Sequence, residues 1–203
     1  AESLLLGCTP VVVEGPSDQH YLTMMKVLLI GAGKIAPRRE LVFPPAGGTK
    51  TLKITASILT GRDDRLPVVL LDGDEMGLRM AKELMSSLYQ DAKDKVLVTD
   101  EFVGMKSSEL EDLIPHKLFA EAIDRIERNA EVPFVDVVKA HQPLVPQVEI
   151  WAKDQGVELT LGWKVEVSKR IKQLALTRGV GSFEADVVDS WVKLFEAFEK
   201  LSA

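Results

Sequence analysis

A single cysteine, Cys8, stands among 203 residues, so no disulfide can close within the chain and the composition fits a reducing compartment. By type, Cys8 reads as a small buried hydrophobe rather than a nucleophile. Long apolar runs are also missing. None approaches the roughly 20 residues that cross a bilayer, and no basic segment precedes an apolar one as in a secretory leader. No membrane partner is expected, and the expected location is the cytoplasm. Positive charge is not in excess: 25 Lys and Arg against 31 Asp and Glu give a formal net charge of −6. That balance argues against non-specific coating of nucleic acid. An enzyme acting on nucleic acid stays open, because metal-binding carboxylates lower the count while basic residues gather elsewhere. Internal repeats and low-complexity segments are absent too.

What is present is an ordinary globular composition, 46% hydrophobic and 28% charged, long enough for one domain or one plus a smaller attachment. The chain starts at Ala1 almost directly on a strand, which suggests a fragment of something longer.

Pro67–Leu71 is an unbroken apolar run closed by Asp72-Gly73-Asp74, the pattern of a strand buried on both faces of a parallel sheet. Pro10–Val13 repeats the pattern and ends in Glu14; Gly15-Pro16-Ser17-Asp18 then carries helix-start chemistry. The spacing predicts a helix to about Ile30, a strand over 41–43, a helix from Thr49 to about Thr60 stopped at Gly61, and a helix from Glu75 to about Gln90. A fourth strand follows over 95–98. This strand–helix alternation implies right-handed βαβ units and a parallel sheet. Past Pro115 the patterns are helical, broken by Pro133, Pro143 and Pro146, with helices expected over about 163–177 and 183–200. The fold class is therefore α/β: a Rossmann-like parallel sheet of about four strands flanked by helices, with an additional mostly helical portion. The expected division is a catalytic core over 1–113 and a helical portion over 114–203.

Open α/β sheets place ligands at the carboxyl ends of their strands. Three acidic groups fall there: Glu14 with Asp18, Asp72 with Asp74, and Glu109-Leu110-Glu111-Asp112 after the fourth strand. Unpaired carboxylates sharing a crevice repel and raise one another's pKa, and a hard divalent cation is the common remedy. Gly47-Gly48-Thr49-Lys50-Thr51 resembles a phosphate loop but lacks its full spacing, so it reads as a turn and helix start. His20, His116 and His141 show no metal-ligand spacing. Lys34, Arg38, Arg39, Arg62 and Arg65, with Lys169, Arg170, Lys172 and Arg178, are candidate phosphate contacts.

The motifs Val12-Val13-Glu14-Gly15-Pro16-Ser17-Asp18, Leu71-Asp72-Gly73-Asp74 and Glu109-Leu110-Glu111-Asp112-Leu113 together resemble the Toprim domain, and within that group the carboxy-terminal region of the OLD (overcoming lysogenization defect) nucleases. The resemblance covers about residues 10 to 113. It implies cleavage of DNA with two divalent cations, Mg²⁺ or Mn²⁺, with Ca²⁺ able to bind in their place, in a setting of DNA repair or phage defence. Glu14 and Asp72 would take the shared positions, and Asp18, Asp74, Glu109 and Glu111 would complete the two sites, with Asp112 able to exchange with Glu111. The family's lysine near the start of a late helix matches Lys164 best, with Lys169 and Lys172 as rivals; that helix would return to the active site. The resemblance further implies an amino-terminal ATPase domain in the full-length protein, absent from this sequence, and a homodimer depending on that missing part.

Three other readings compete. A topoisomerase needs a nucleophilic tyrosine, and only Tyr21 and Tyr89 exist, both on expected helices with apolar faces. A phospho-acceptor receiver-like signalling module shares a central strand ending in Asp. It wants adjacent acids after its first strand, where this chain has Glu14 and Asp18 four apart. An inactive metal-binding scaffold is the third alternative.

Overall fold

The structure, a computed structural model of the chain, describes residues 7–60 and 65–202. Four short strands form a parallel sheet: β1 (Cys8–Val12), β2 (Glu40–Val42), β3 (Val68–Leu71) and β4 (Val96–Val98), in the order β2-β1-β3-β4. β1 divides its pairing, with Cys8, Thr9 and Pro10 opposite β2 and Val11 and Val12 opposite β3. The α-helices among the described residues are α1 (Pro16–Gly31), α2 (Thr49–Leu59), α3 (Glu75–Met85), α4 (Asp100–Val103), α5 (His116–Ile126), α6 (Leu144–Gln155), α7 (Trp163–Arg178) and α8 (Ala185–Ser202). The expected α/β class with a four-stranded, Toprim-like parallel sheet is what the chain folds into. Among the described residues no helix is long and apolar enough to cross a membrane.

Strand alternation sorts the sheet residues into two apolar layers. Val11, Val13, Val68, Leu70 and Leu97 join one buried cluster with α1 and with residues of α5 to α8. Val12, Val69, Leu71, Val96 and Val98 face the other way, onto Leu52 and Ala56 of α2 and Ala81 and Leu84 of α3. Both sheet faces are thus covered, which is why these strands read as continuous apolar runs. The helical stretch after Pro115 shares a continuous core with the sheet, and α7 packs along α1.

Several boundaries differ from the sequence expectation: β2 covers Glu40–Val42, β4 starts at Val96 and α8 covers Ala185–Ser202. α3 stops at Met85 instead of running to about Gln90, because Tyr89 turns back into the second layer and donates its hydroxyl to the Pro67 carbonyl at 2.8 Å. Tyr89 is therefore a turn residue and not a helical one. β1 begins earlier, at Cys8, and Val13 makes only an isolated bridge to Pro45. The expected stop at Gly61 and the basic residue Arg62 lie outside the described residues.

The turn Leu110–Leu113, a 3₁₀ segment, is anchored from the helical portion. Trp191 of α8 donates its indole N–H to the Leu113 carbonyl at 2.8 Å, and the Leu144 N–H at the start of α6 donates to Asp112 Oδ1 at 2.7 Å.

Candidate active site

From β1 the chain moves to β2 on one side, then crosses back to β3 on the other. This order opens a crevice between the carboxyl ends of β1 and β3, the switch point at which such sheets bind ligands. Glu14 and Asp72 are the residues that emerge there. Glu14 Oε1 accepts the Asp72 backbone N–H at 3.1 Å, so the two strand ends are tied together at the crevice itself.

The other acids arrive on neighbouring elements and are not equally free. Asp18 is buried in the first turn of α1, and its Oδ2 accepts the Gly15 N–H at 2.8 Å. Asp74 is exposed and caps α3, accepting the Gly77 N–H at 2.6 Å. Asp112 has both oxygens engaged, one with Leu144 and one with the Glu109 N–H at 2.9 Å. Glu111 is 1% exposed, and its Oε1 has no hydrogen-bond partner. Glu109, at the head of the same turn, is ion-paired with Lys164, the second residue of α7.

This packing has an electrostatic consequence. Burial, with the charges of Asp18, Asp74 and Glu109, pushes the Glu14 carboxyl up to about 7 against the help of the Asp72 N–H. Burial likewise raises Asp18 to about 6 and Glu111 to about 8, with Glu109 adding repulsion and Lys164 opposing it. Asp72 is held well above the usual carboxylate range by burial, then by Asp18, Glu111, Glu109 and Glu14. Burial alone would depress Lys164; the charges of Glu111 and Glu109, the Glu109 hydrogen bond and Asp72 outweigh it and hold the ammonium firmly protonated. Glu14, Asp18, Asp72, Glu109, Glu111 and Lys164 therefore sense one another as one cluster.

Lys169 and Lys172 lie farther along α7, where their charges act on His20 after burial has lowered it. Several basic candidates fall elsewhere. Lys34, Arg38, Arg39 and Arg65 precede β2 or β3, so in a parallel sheet they sit at the amino ends of the strands, opposite the acids. Arg178 forms a two-pronged pair with Glu121, at 2.7 and 2.6 Å. Exposed Lys50 and Lys106 follow the carboxyl ends of β2 and β4, on the acidic side of the sheet.

Sequence reading also missed the residues that shape the crevice. Asp100 accepts the Ser108 N–H and hydroxyl at 2.9 and 2.8 Å, and the Gly73 N–H donates to Thr99 Oγ1 at 2.9 Å and to the Ser108 carbonyl at 2.8 Å. A Cβ at Gly73 would meet Asp100 Oδ1 at 1.7 Å, and one at Gly77 would meet the Asp72 carbonyl oxygen at 2.1 Å. Glycine between the two aspartates and at the first turn of α3 was the available signal. A cleft of about 480 Å³, lined by His116, His141, Lys139, Glu184 and Asp186 among others, shares only Asp112 with the acids. Of the site candidates named above it holds Asp112 alone.

As the side chains lie, no three His, Cys, Asp or Glu among the described residues are drawn together tightly enough to hold an ion. The chemistry of the donors nevertheless fits hard divalent cations. The donors are all carboxylate oxygens, Glu14, Asp18, Asp72 and Glu111 are raised by burial and by neighbouring acids, and the buried Glu111 Oε1 lacks any partner. A bound cation would relieve both conditions.

No protein-family model and no curated protein matches the sequence. Among solved structures, the C-terminal region of the Burkholderia pseudomallei OLD protein aligns over 94% of this chain and 98% of that chain, with a TM-score of 0.52 and 14% identity. This chain has the fold of an OLD carboxy-terminal region. The match runs through the helical portion as well as the sheet, so the OLD-like fold includes the helix that carries Lys164.

Proposed function

We propose that the chain is a divalent-metal-dependent DNA endonuclease, the nuclease half of a longer ATPase–nuclease protein. The observation that carries this reading is the gathering of five acids and Lys164 at the switch-point crevice, in a chain with an OLD-like fold. Glu14 and Asp72 would take shared positions, and Asp18, Glu109 and Glu111 would supply the remaining protein ligands. Asp74 contributes through its oxygen not used in capping α3. Asp112 is reserved for holding the Glu109–Asp112 turn. Two bound cations, Mg²⁺ or Mn²⁺, would supply a metal-activated water and Lewis-acid stabilisation of the leaving oxygen.

The chain's own residues do the rest. The Lys164 ammonium is ion-paired with Glu109 and would meet negative charge spreading over the equatorial phosphate oxygens. Residues 1–113 carry the carboxylates, and 114–203 deliver Lys164 and fix the turn bearing Glu109 and Glu111. Exposed Lys50 and Lys106, after β2 and β4, would meet flanking phosphates of a duplex.

The test is conversion of supercoiled plasmid by the purified chain with Mg²⁺ or Mn²⁺ against EDTA. Nicked or linear product that needs metal, disappears with Asp72→Ala and falls at least tenfold with Lys164→Ala is the expected result. Equal activity in EDTA, or full activity of Asp72→Ala, would contradict the reading.

A further inference from the structure

Three buried side-chain oxygens among the described residues lack a hydrogen-bond partner: Glu111 Oε1, the Tyr21 hydroxyl and Ser202 Oγ. The last belongs to the end of α8; the first two belong together. Buried polar groups are nearly always paired, so each such orphan calls for an explanation. Tyr21 stands one helical turn after Asp18 on α1, which places both side chains on the same face. Its ring is fully buried, and after burial itself the charge that acts most on its hydroxyl is Glu111, ahead of Asp18 and Glu109. The acids whose charges act on Tyr21 are those of the crevice. A phenol enclosed in this way is no nucleophile, because DNA cannot reach it.

We propose that Tyr21 is the positioning residue for Glu111, its hydroxyl donating to the Glu111 oxygen that the cation leaves free. The inference rests on the proposed metal site and adds to it a residue that does not touch the metal. Carboxylates that bind metals are themselves held by outer hydrogen bonds, and losing such a partner commonly weakens metal binding 10–100-fold. Tyr21 supplies the missing donor, and Glu111 supplies the missing acceptor. A hydrogen bond between the two would satisfy both atoms, each of which is otherwise unpaired. The hydroxyl then carries a cost in the metal-free protein and a benefit in the loaded one.

Those opposite signs make the test specific. Titration calorimetry of the whole chain with Mn²⁺ is expected to show Tyr21→Phe binding about tenfold more weakly than wild type. In EDTA the same variant is expected to melt at the wild-type temperature or above it, since it removes a buried unpaired oxygen. Glu111→Gln supplies the control: adding Tyr21→Phe to it should weaken Mn²⁺ binding no further. A Tyr21→Phe variant that binds Mn²⁺ as tightly as wild type overturns the inference, and so does one that loses melting temperature in EDTA without losing affinity. Wild-type protein that binds no Mn²⁺ at all overturns the metal-site reading itself, so the two failures are told apart.

Discussion

Glu111 and Asp112 are neighbours in sequence with different tasks in the fold. Asp112 satisfies two backbone N–H groups, of Glu109 and Leu144, and so joins the 110–113 turn to the start of α6. Glu111 is buried with an unused oxygen. Asp112→Ala strands two donors and is expected to cost about 2–3 kcal/mol in urea denaturation, with or without metal. Glu111→Gln, which removes a buried ionisable group and keeps the shape, is expected to leave metal-free stability unchanged or raised; a loss matching that of Asp112→Ala would place Glu111 in a structural role. The sequence could not separate the two, because a 3₁₀ turn has neither the strand nor the helix period from which an inward side is read. Asp100, Thr99 and Ser108 were invisible for a similar reason: their hydrogen bonds join a strand end to a loop eight or more residues away.

At the scale of elements, the sheet was legible because its strands are buried on both faces and each ends in turn or capping residues. The positions of the acids followed, since all parallel strands end on one side. The same rule could have relocated Lys34, Arg38, Arg39 and Arg65, which precede strands and so lie at the far end. What could not be read was the joining of the helical portion to the site. Lys164 is 55 residues from Glu109, and the packing of α7 against α1 and α5 brings them together. Trp191 has the parallel role from α8, holding the Leu113 carbonyl. Trp191→Phe leaves that buried carbonyl unpaired and thins the aromatic cluster with Phe195. It is expected to cost about 2–3 kcal/mol and to weaken Mn²⁺ binding through the loosened turn. Unchanged affinity would show that α8 supports the core without positioning the site.

The whole molecule folds around charges that it cannot comfortably hold alone. Glu14, Asp18 and Glu111 keep protons to about 7, 6 and 8 in the native state, against ordinary values of 4.5, 3.8 and 4.5. Between about pH 5 and 8 the native state therefore binds more protons than the unfolded chain, so stability falls as pH rises through this window. Lys164, raised in the native state, titrates above the window and leaves the slope untouched. Melting temperature in EDTA is expected to decline from pH 5 to pH 8, and saturating Mn²⁺ to flatten or reverse the decline, because cation binding releases the protons. A flat profile in EDTA would mean that the acids are not coupled as described. The central claim, that these acids form a two-cation site, is tested most directly by anomalous diffraction from crystals grown with Mn²⁺. Two peaks about 3.5–4 Å apart, bounded by Glu14, Asp72, Glu109 and Glu111, are the expected result. A crevice without peaks, or a peak only in the cleft beside His116 and His141, would contradict it.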